Sequence, residues 1–165
     1  MSFESDLNNF RRKIEQALAQ LTSNSNLQPI AKDLEEIIRR RTRLGKGVDV
    51  NGGPNVPLKA LKKSTKRSRK YKQKRGLLSE KTSPNKSNLT DTAQLIDSLK
   101  GRAINKLLEI KPTGGRKNSK LTNIKVAAYQ EAAGRKFLGL SKQDIKQLTA
   151  VMQDSFNEIV NRIFK

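Results

Sequence analysis

The chain has no cysteine, no histidine and no tryptophan. Without thiols and imidazoles there can be no disulfide, no thiolate nucleophile and no histidine-based triad. The usual zinc, haem and iron–sulfur ligand sets are excluded as well. Missing cysteine is compatible with a reducing cytoplasm. Aromatic residues are scarce, five Phe and two Tyr in 165 residues, so a core drawn from 34% hydrophobic residues must be mostly Leu, Ile, Val and Ala. No run approaches the roughly 18 to 20 apolar residues of a membrane span, and the opening MSFESDLNNF does not read as a signal peptide, so no membrane is expected as a partner. Acids are few: 15 against 35 Lys and Arg, a net charge of +20. Such a field favours a polyanion, an acidic protein surface or an anionic membrane face.

The charge is concentrated. Residues 39 to 75 hold 15 Lys or Arg against one acid, Asp49, so +14 of the +20 falls in 37 residues. Within that block Lys62, Lys63, Lys66, Arg67, Arg69, Lys70, Lys72, Lys74 and Arg75 are the candidate contacts to a nucleic-acid backbone or an acidic partner. Arg116, Lys117 and Lys120 form a second, smaller group. Phosphate contacts of this kind give steep salt dependence and no sequence preference. Only Tyr71 interrupts the block, which leaves little for base stacking. A solvated arm, or one that docks on an acidic protein, remains open beside the nucleic-acid reading.

The length suits one domain with three parts: N-terminal helices over 1–44, a basic extension over 45–88, and a helix, strand hairpin and C-terminal helix over 89–165. Phe3, Leu7, Phe10, Ile14, Leu18 and Leu21 recur at steps of four and three, an apolar helical stripe that the run from Thr22 to Asn26 ends. Pro29 suits the first turn of a second helix carrying Ile30, Leu34, Ile37 and Ile38. GKGVDVNGGPNVP, residues 45 to 57, reads as loop, and the lysine-rich stretch beyond Pro57 as helix with only Leu58, Leu61 and Tyr71 to bury. A polar loop (78–88) leads to a short helix with Leu95, Ile96 and Leu99 inward, closed by Gly101. Ala103–Ile110 and Leu121–Val126 are the expected strands, joined by a long basic loop over 111–120. AAYQEAAG reads as a short helix stopped by Gly134. A broad apolar face from Ile145 to Phe164 marks the last helix. This order predicts an α+β fold: a small antiparallel sheet packed by N-terminal helices and a long C-terminal helix, with a long basic loop and helix insertion.

Catalytic patterns are missing. The glycine clusters GKGVDVNGGP and PTGGRKNS lack the GxxxxGK[ST] spacing that wraps backbone N–H groups around phosphates. Asp91, Asp97 and Glu109 qualify for acid–base or Mg²⁺ chemistry only by being acids, and Asp91 reads better as a helix cap. Glu35 and Glu36 precede Arg39 and Arg40 by four residues, the spacing of ion pairs along a helix. Neither an enzyme nor a cofactor is expected.

The stretch GRKFLGLSKQDIKQL, residues 134 to 148, is the most structured signal. Ser141 and Asp144 have capping-box spacing, and Leu140 and Ile145 are placed for a hydrophobic staple. An apolar knot, Phe137-Leu138-Gly139-Leu140, follows Arg135 and leads directly into that helix start.

Together with three upstream stretches, this run resembles the phage virion morphogenesis, or tail-completion, family of the Mu-like type. Arg135, Phe137, Leu138, Gly139, Leu140, Ser141 and Asp144 stand where the family has an arginine and an aromatic-Leu-Gly-Leu-Ser run leading into its last helix. Ala127 to Glu131 resembles the short segment before that run, and Leu89 to Leu99 the family's leucine- and threonine-bearing helix. Val56-Pro57-Leu58 with Ser64-Thr65 is similar to its proline-leucine stretch after a Gly-rich loop. The resemblance implies a non-enzymatic structural protein of the virion neck, assembled in the host cytoplasm. Its expected form is a ring of six or twelve copies at the head–tail junction. The ring's neighbours would be portal or adaptor proteins on the head side and a tail terminator or tail tube on the tail side, with genomic DNA passing non-specifically through the channel. Composition by itself also suits a free-standing basic nucleic-acid-binding protein of ribosomal or nucleoid type.

Overall fold

The computed structural model describes residues 3–49, 53–78, 82, 84–85, 89, 94–117 and 120–164, with side chains from Asn8 onward in the first helix. Ten elements follow in order: α1 (Phe3–Leu21), α2 (Asn24–Arg43), β1 (Lys46–Val48), β2 (Asn55–Pro57), α3 (Lys63–Lys74), α4 (Gln94–Asp97), β3 (Leu99–Ile104), β4 (Leu107–Pro112), α5 (Asn123–Ala132) and α6 (Lys142–Phe164). The fold is α+β, with two antiparallel two-stranded sheets, β1–β2 and β3–β4.

Helix α2 is the central element. Its stripe Leu27, Ile30, Leu34 and Ile38 is buried against Leu95, Ile96, Leu99, Phe137 and Leu148, with Leu58 and Ala127 completing the core. Each such Leu, Ile or Phe contributes about 1.5–3 kcal/mol on leaving water. The helix begins earlier than Pro29 suggests. Ser23 is the N-cap, its Oγ accepting from the Asn26 N–H at 3.4 Å, so only Thr22 and Ser23 break the chain between α1 and α2. Pro29 is the sixth residue of the helix, beyond the first turn that the sequence suggested for it, and its ring nitrogen cannot donate to the Ser25 carbonyl as an ordinary residue would.

The β3–β4 hairpin sits on α2, and its register pairs Ile104 with Leu107 across a two-residue turn, Asn105-Lys106. Both turn residues have positive φ, 50° and 63°, the geometry of a type I′ turn whose twist matches that of the strands. The expected strands thus shift. The first candidate, Ala103–Ile110, contains the turn and is itself the hairpin. The second, Leu121–Val126, enters helix α5, because Thr122 caps that helix by accepting from the Lys125 N–H at 3.3 Å. The basic stretch 111–120 joins β4 to α5 and is not a hairpin loop. Gly101 does not end a helix; α4 is a single turn, and Gly101 lies within β3. Residues 90 to 93, including the Asp91 cap candidate, lie outside the described residues.

Side chains of α2 close the outer edge of β3. Gln28 receives the Ala103 N–H on Oε1 at 3.1 Å and donates from Nε2 to the Gly101 carbonyl at 3.0 Å. Glu35 accepts the Gly101 N–H at 2.6 Å, and Arg39 donates to the carbonyls of Ile96, Asp97 and Leu99. The Glu35–Arg39 pair, 2.7 Å apart, is therefore built into this edge and is not a solvated surface pair. A helix replaces the missing strand, which protects the edge from pairing with another chain. The fit requires glycine at 101, where an added Cβ would stand 2.0 Å from the Ala31 carbonyl oxygen.

The span 45–57, expected as loop, forms the β1–β2 hairpin, with Lys46 opposite Pro57 and Val48 opposite Asn55. Helix α1 crosses the far end of α6, where Phe10 meets Phe164 edge to face at 5.9 Å and Lys13 Nζ lies 5.6 Å from the same ring.

Candidate nucleic-acid interface and the anchor of the last helix

Helix α3 has no apolar face. Among its residues only Arg69 is buried, at 4% exposure; Thr65, Lys66 and Lys72 are half-buried, and the others lie in solvent. Lys62, Lys63, Arg67, Lys70, Lys74 and Arg75 are thus presented outward. Tyr71 is exposed too, and the Arg75 guanidinium stacks over its ring at 4.5 Å. The helix closes with the Leu77 N–H bonded to the Lys72 carbonyl at 2.8 Å.

Arg69 departs from its neighbours. It points into a cleft of about 260 Å³ lined also by Leu61, Thr65, Leu95, Val126, Gln130, Arg116 and Arg135. Residues from both basic segments and from the 134–148 stretch converge there. Arg116 is half-buried and donates to Asn123 Oδ1 at 3.2 Å; Arg135 donates to Gln130 Oε1 at 3.2 Å. Arg69 and Arg116 make further interactions of their own. Arg69 and Arg116, expected from charge as contacts to a nucleic acid or an acidic partner, are thus buried and half-buried respectively, beside local partners. Lys117 and Lys120 remain exposed.

The Phe137–Ser141 run is held from three sides. From α2, the buried guanidinium of Arg41 donates to the carbonyls of Phe137 and Gly139, the latter at 3.0 Å, and to the Asp144 carboxylate. From α5, Glu131 Oε1 accepts the N–H groups of Phe137 at 2.8 Å and Leu138 at 3.2 Å. From β1, the Val48 N–H donates to the Lys136 carbonyl at 3.0 Å. Gly139 passes so close to Val48 that a Cβ would lie 2.8 Å from its Cγ2. Phe137 has no exposed surface. The approach is set by Gly134, whose φ of +77° ends α5 in a Schellman turn, with the Arg135 N–H on the Gln130 carbonyl at 2.9 Å.

The capping box forms as its spacing predicts. Ser141 Oγ accepts the Asp144 N–H at 3.1 Å, and Asp144 Oδ2 accepts the Ser141 N–H at 2.8 Å. The same carboxylate takes the Arg41 ion pair, with both side chains 3% exposed. Burial pushes the Arg41 guanidinium below its ordinary value, and the Asp144 carboxylate, assisted by Glu131, opposes that shift. The staple is weaker than expected: Leu140 packs on the core, while Ile145 is 48% exposed.

Arg41 and Glu131 are the residues that sequence reading does not single out. One is hidden among four arginines at the end of α2, where charge alone suggests a solvent-facing group. The other stands in a short helix whose local pattern does not point toward residues 137 and 138.

Between α2, α6 and the β1–β2 hairpin runs a groove of about 390 Å³ with Ile37, Leu44 and Val151 on its apolar side and Asp33, Glu36 and Arg40 among its polar ones. Of the candidate acids, Asp97 pairs with Arg43 at 2.8 Å and Glu109 with Lys111 at 2.9 Å. Among the described residues no group of three or more acids is gathered as a metal ion requires, and no helix is long and apolar enough to cross a membrane. A scan against family models finds no match to the chain, and neither does a search of curated proteins or of solved structures.

Proposed function

We propose that this chain is a structural protein of a phage neck, a tail-completion subunit that works as a closed ring around the DNA channel and catalyses nothing. The observation that carries the reading is the use made of the Phe137–Ser141 run. The stretch that resembles the family's signature is tied to α2 by Arg41, to α5 by Glu131 and to β1 through Lys136, and it directs the departure of α6. A ring subunit needs such a joint, because small errors in the angle of a long helix accumulate around a closed assembly.

The exposed charge supports a role beside DNA. Lys62, Lys63, Arg67, Lys70 and Lys74 project from a helix with no apolar face of its own. Lining a channel, they would offset phosphate repulsion without reading bases, consistent with a helix whose one aromatic is Tyr71. The neck's neighbours, portal or adaptor proteins on one side and tail proteins on the other, would take the remaining faces.

The test is electron microscopy of lysates from the phage carrying a nonsense mutation in this gene. The reading predicts filled heads and complete tails that fail to join. Normal joined virions would sink it and favour a free-standing nucleic-acid-binding protein. That alternative would also hold duplex near physiological salt, whereas a channel lining retains it only at low salt.

A further inference from the structure

The apolar face of α6 is broader than the fold can cover. Leu148 and Ile159 are buried, yet Met152, Phe156 and Phe164 remain exposed on the same helix. Helix α1 repeats the pattern: Ala17 is buried, while Phe10, Ile14 and Leu18, one stripe at steps of four, face solvent. The two exposed stripes meet at the Phe10–Phe164 contact, so they form one surface spread over two helices. All six residues are between 37 and 55% exposed. At roughly 150–250 Å² for a large aromatic side chain and somewhat less for an aliphatic one, about 500 Å² of apolar surface is left in water, at the upper end of what a monomer ordinarily shows.

Charge identifies what covers it. Helix α1 carries three acids and three bases, and α6 carries three of each, so both are neutral in a chain whose net charge is +20. All of the excess positive charge lies elsewhere. A polyanion has no reason to choose this face, and a strongly acidic protein would be drawn to the basic surfaces instead. A second copy of this chain, itself +20, can approach here without bringing like charges together. The apolar area with its polar rim also approaches the roughly 800 Å² per partner that a stable interface of standard size buries.

We infer that the α1–α6 face is the contact through which one copy of this chain docks on another. For its place in assembly the inference rests on the ring reading above, in which this face makes the subunit–subunit contact. Its physical argument, from exposure and neutrality, does not depend on a phage. Ring closure then multiplies a modest pairwise affinity by avidity.

The experiment is sedimentation velocity of the purified chain at concentrations up to about 200 µM, a range that resolves micromolar association. Phe156→Glu, Leu18→Glu and, as a control on a different surface, Leu107→Glu are run beside it; all three residues are exposed, and circular dichroism melts check that each variant folds. The wild type should associate, and should do so undiminished at about 0.5 M salt because the contact is apolar and not ionic. Phe156→Glu and Leu18→Glu should each weaken association about tenfold or more, with Leu107→Glu unchanged. A wild type that stays monomeric across that range, or face variants that associate as well as it does, would overturn the inference. The two readings separate in the phage. If Phe156→Glu supports head–tail joining as well as wild type, this face is not the ring contact, though the neck role survives. If the protein associates through this face but phage lacking the whole gene still join heads to tails, the neck role fails and the interface stands.

Discussion

Replacing Asp144 by alanine should unfold more of this protein than any change to its exposed lysines. The carboxylate does two jobs: it takes the buried Arg41 guanidinium and it accepts the Ser141 N–H at the start of α6. Removing it leaves a full positive charge with almost no access to water, a loss of about 3–5 kcal/mol for breaking one side of a buried pair. Against the total of about 5–15 kcal/mol typical of a domain, that is about a fifth or more. At roughly 2–4 °C per kcal/mol for this chain length, the melting temperature should fall by about 6–20 °C. Asp144→Asn keeps an acceptor for the Ser141 N–H and should recover about 1 kcal/mol of capping energy. The double variant Arg41→Met with Asp144→Leu removes both charges, so its cost should fall short of the summed singles by about 2 kcal/mol or more. It should remain below wild type, because the carbonyls of Phe137 and Gly139 lose their donor, at about 1–3 kcal/mol for the buried Phe137 carbonyl left unbonded. Mutation is the right probe here and pH is not, since an arginine keeps its charge throughout the neutral range even when burial lowers its proton affinity. Urea titrations of the wild type, Arg41→Met, Asp144→Leu and the double variant supply the cycle, with Asp144→Ala run beside them. A cost below about 1 kcal/mol for Asp144→Ala, or singles that add to within about 0.5 kcal/mol, would refute the reasoning.

Three further outcomes are expected. Gly101→Ala drives a methyl group into the Ala31 carbonyl and should cost about 3 kcal/mol or more by chemical denaturation, with a loss under 1 kcal/mol showing that α2 does not press on β3 as described. Lys106→Gly should stabilise the chain by about 0.5–1 kcal/mol, because glycine relieves a left-handed backbone at φ 63° while the Lys106 N–H keeps its bond to Asn24 Oδ1; an unchanged or lower melting temperature would contradict this. Arg69→Gln and Lys70→Gln, adjacent in sequence, should behave oppositely. The buried Arg69 change should cost about 1–3 kcal/mol of stability, whereas the exposed Lys70 change should leave stability within about 0.5 kcal/mol and reduce the salt dependence of low-salt duplex binding by about one ion.

Much of the fold was legible in local patterns. The stripe of α2, the capped start of α6 and the Gly134 stop are each written within a few residues, and the structure uses them as read. The misplaced elements have a common cause. The type I′ turn at Asn105-Lys106 lacks the usual glycine, so the apolar run around it reads as one strand when it is two. The β1–β2 hairpin has three-residue strands, too short for alternation to show, and its place depends on the bond from Val48 to Lys136, distant in sequence. The basic surface was only partly legible for the same reason. Charge counts treat Arg39, Arg41, Arg69 and Lys70 alike, whereas the fold spends Arg39 on a strand edge, Arg41 on the α6 anchor and Arg69 on a cleft, and leaves Lys70 outside.

The most direct test of the neck assignment is to add the purified protein to a lysate of the phage lacking this gene and to count joined particles and infectious units. The account predicts that filled heads and free tails convert to infectious virions on addition of the wild-type protein, and that the unfolded-prone Asp144→Ala protein restores far fewer. Heads and tails that join without the protein, or that stay separate in its presence, would contradict it.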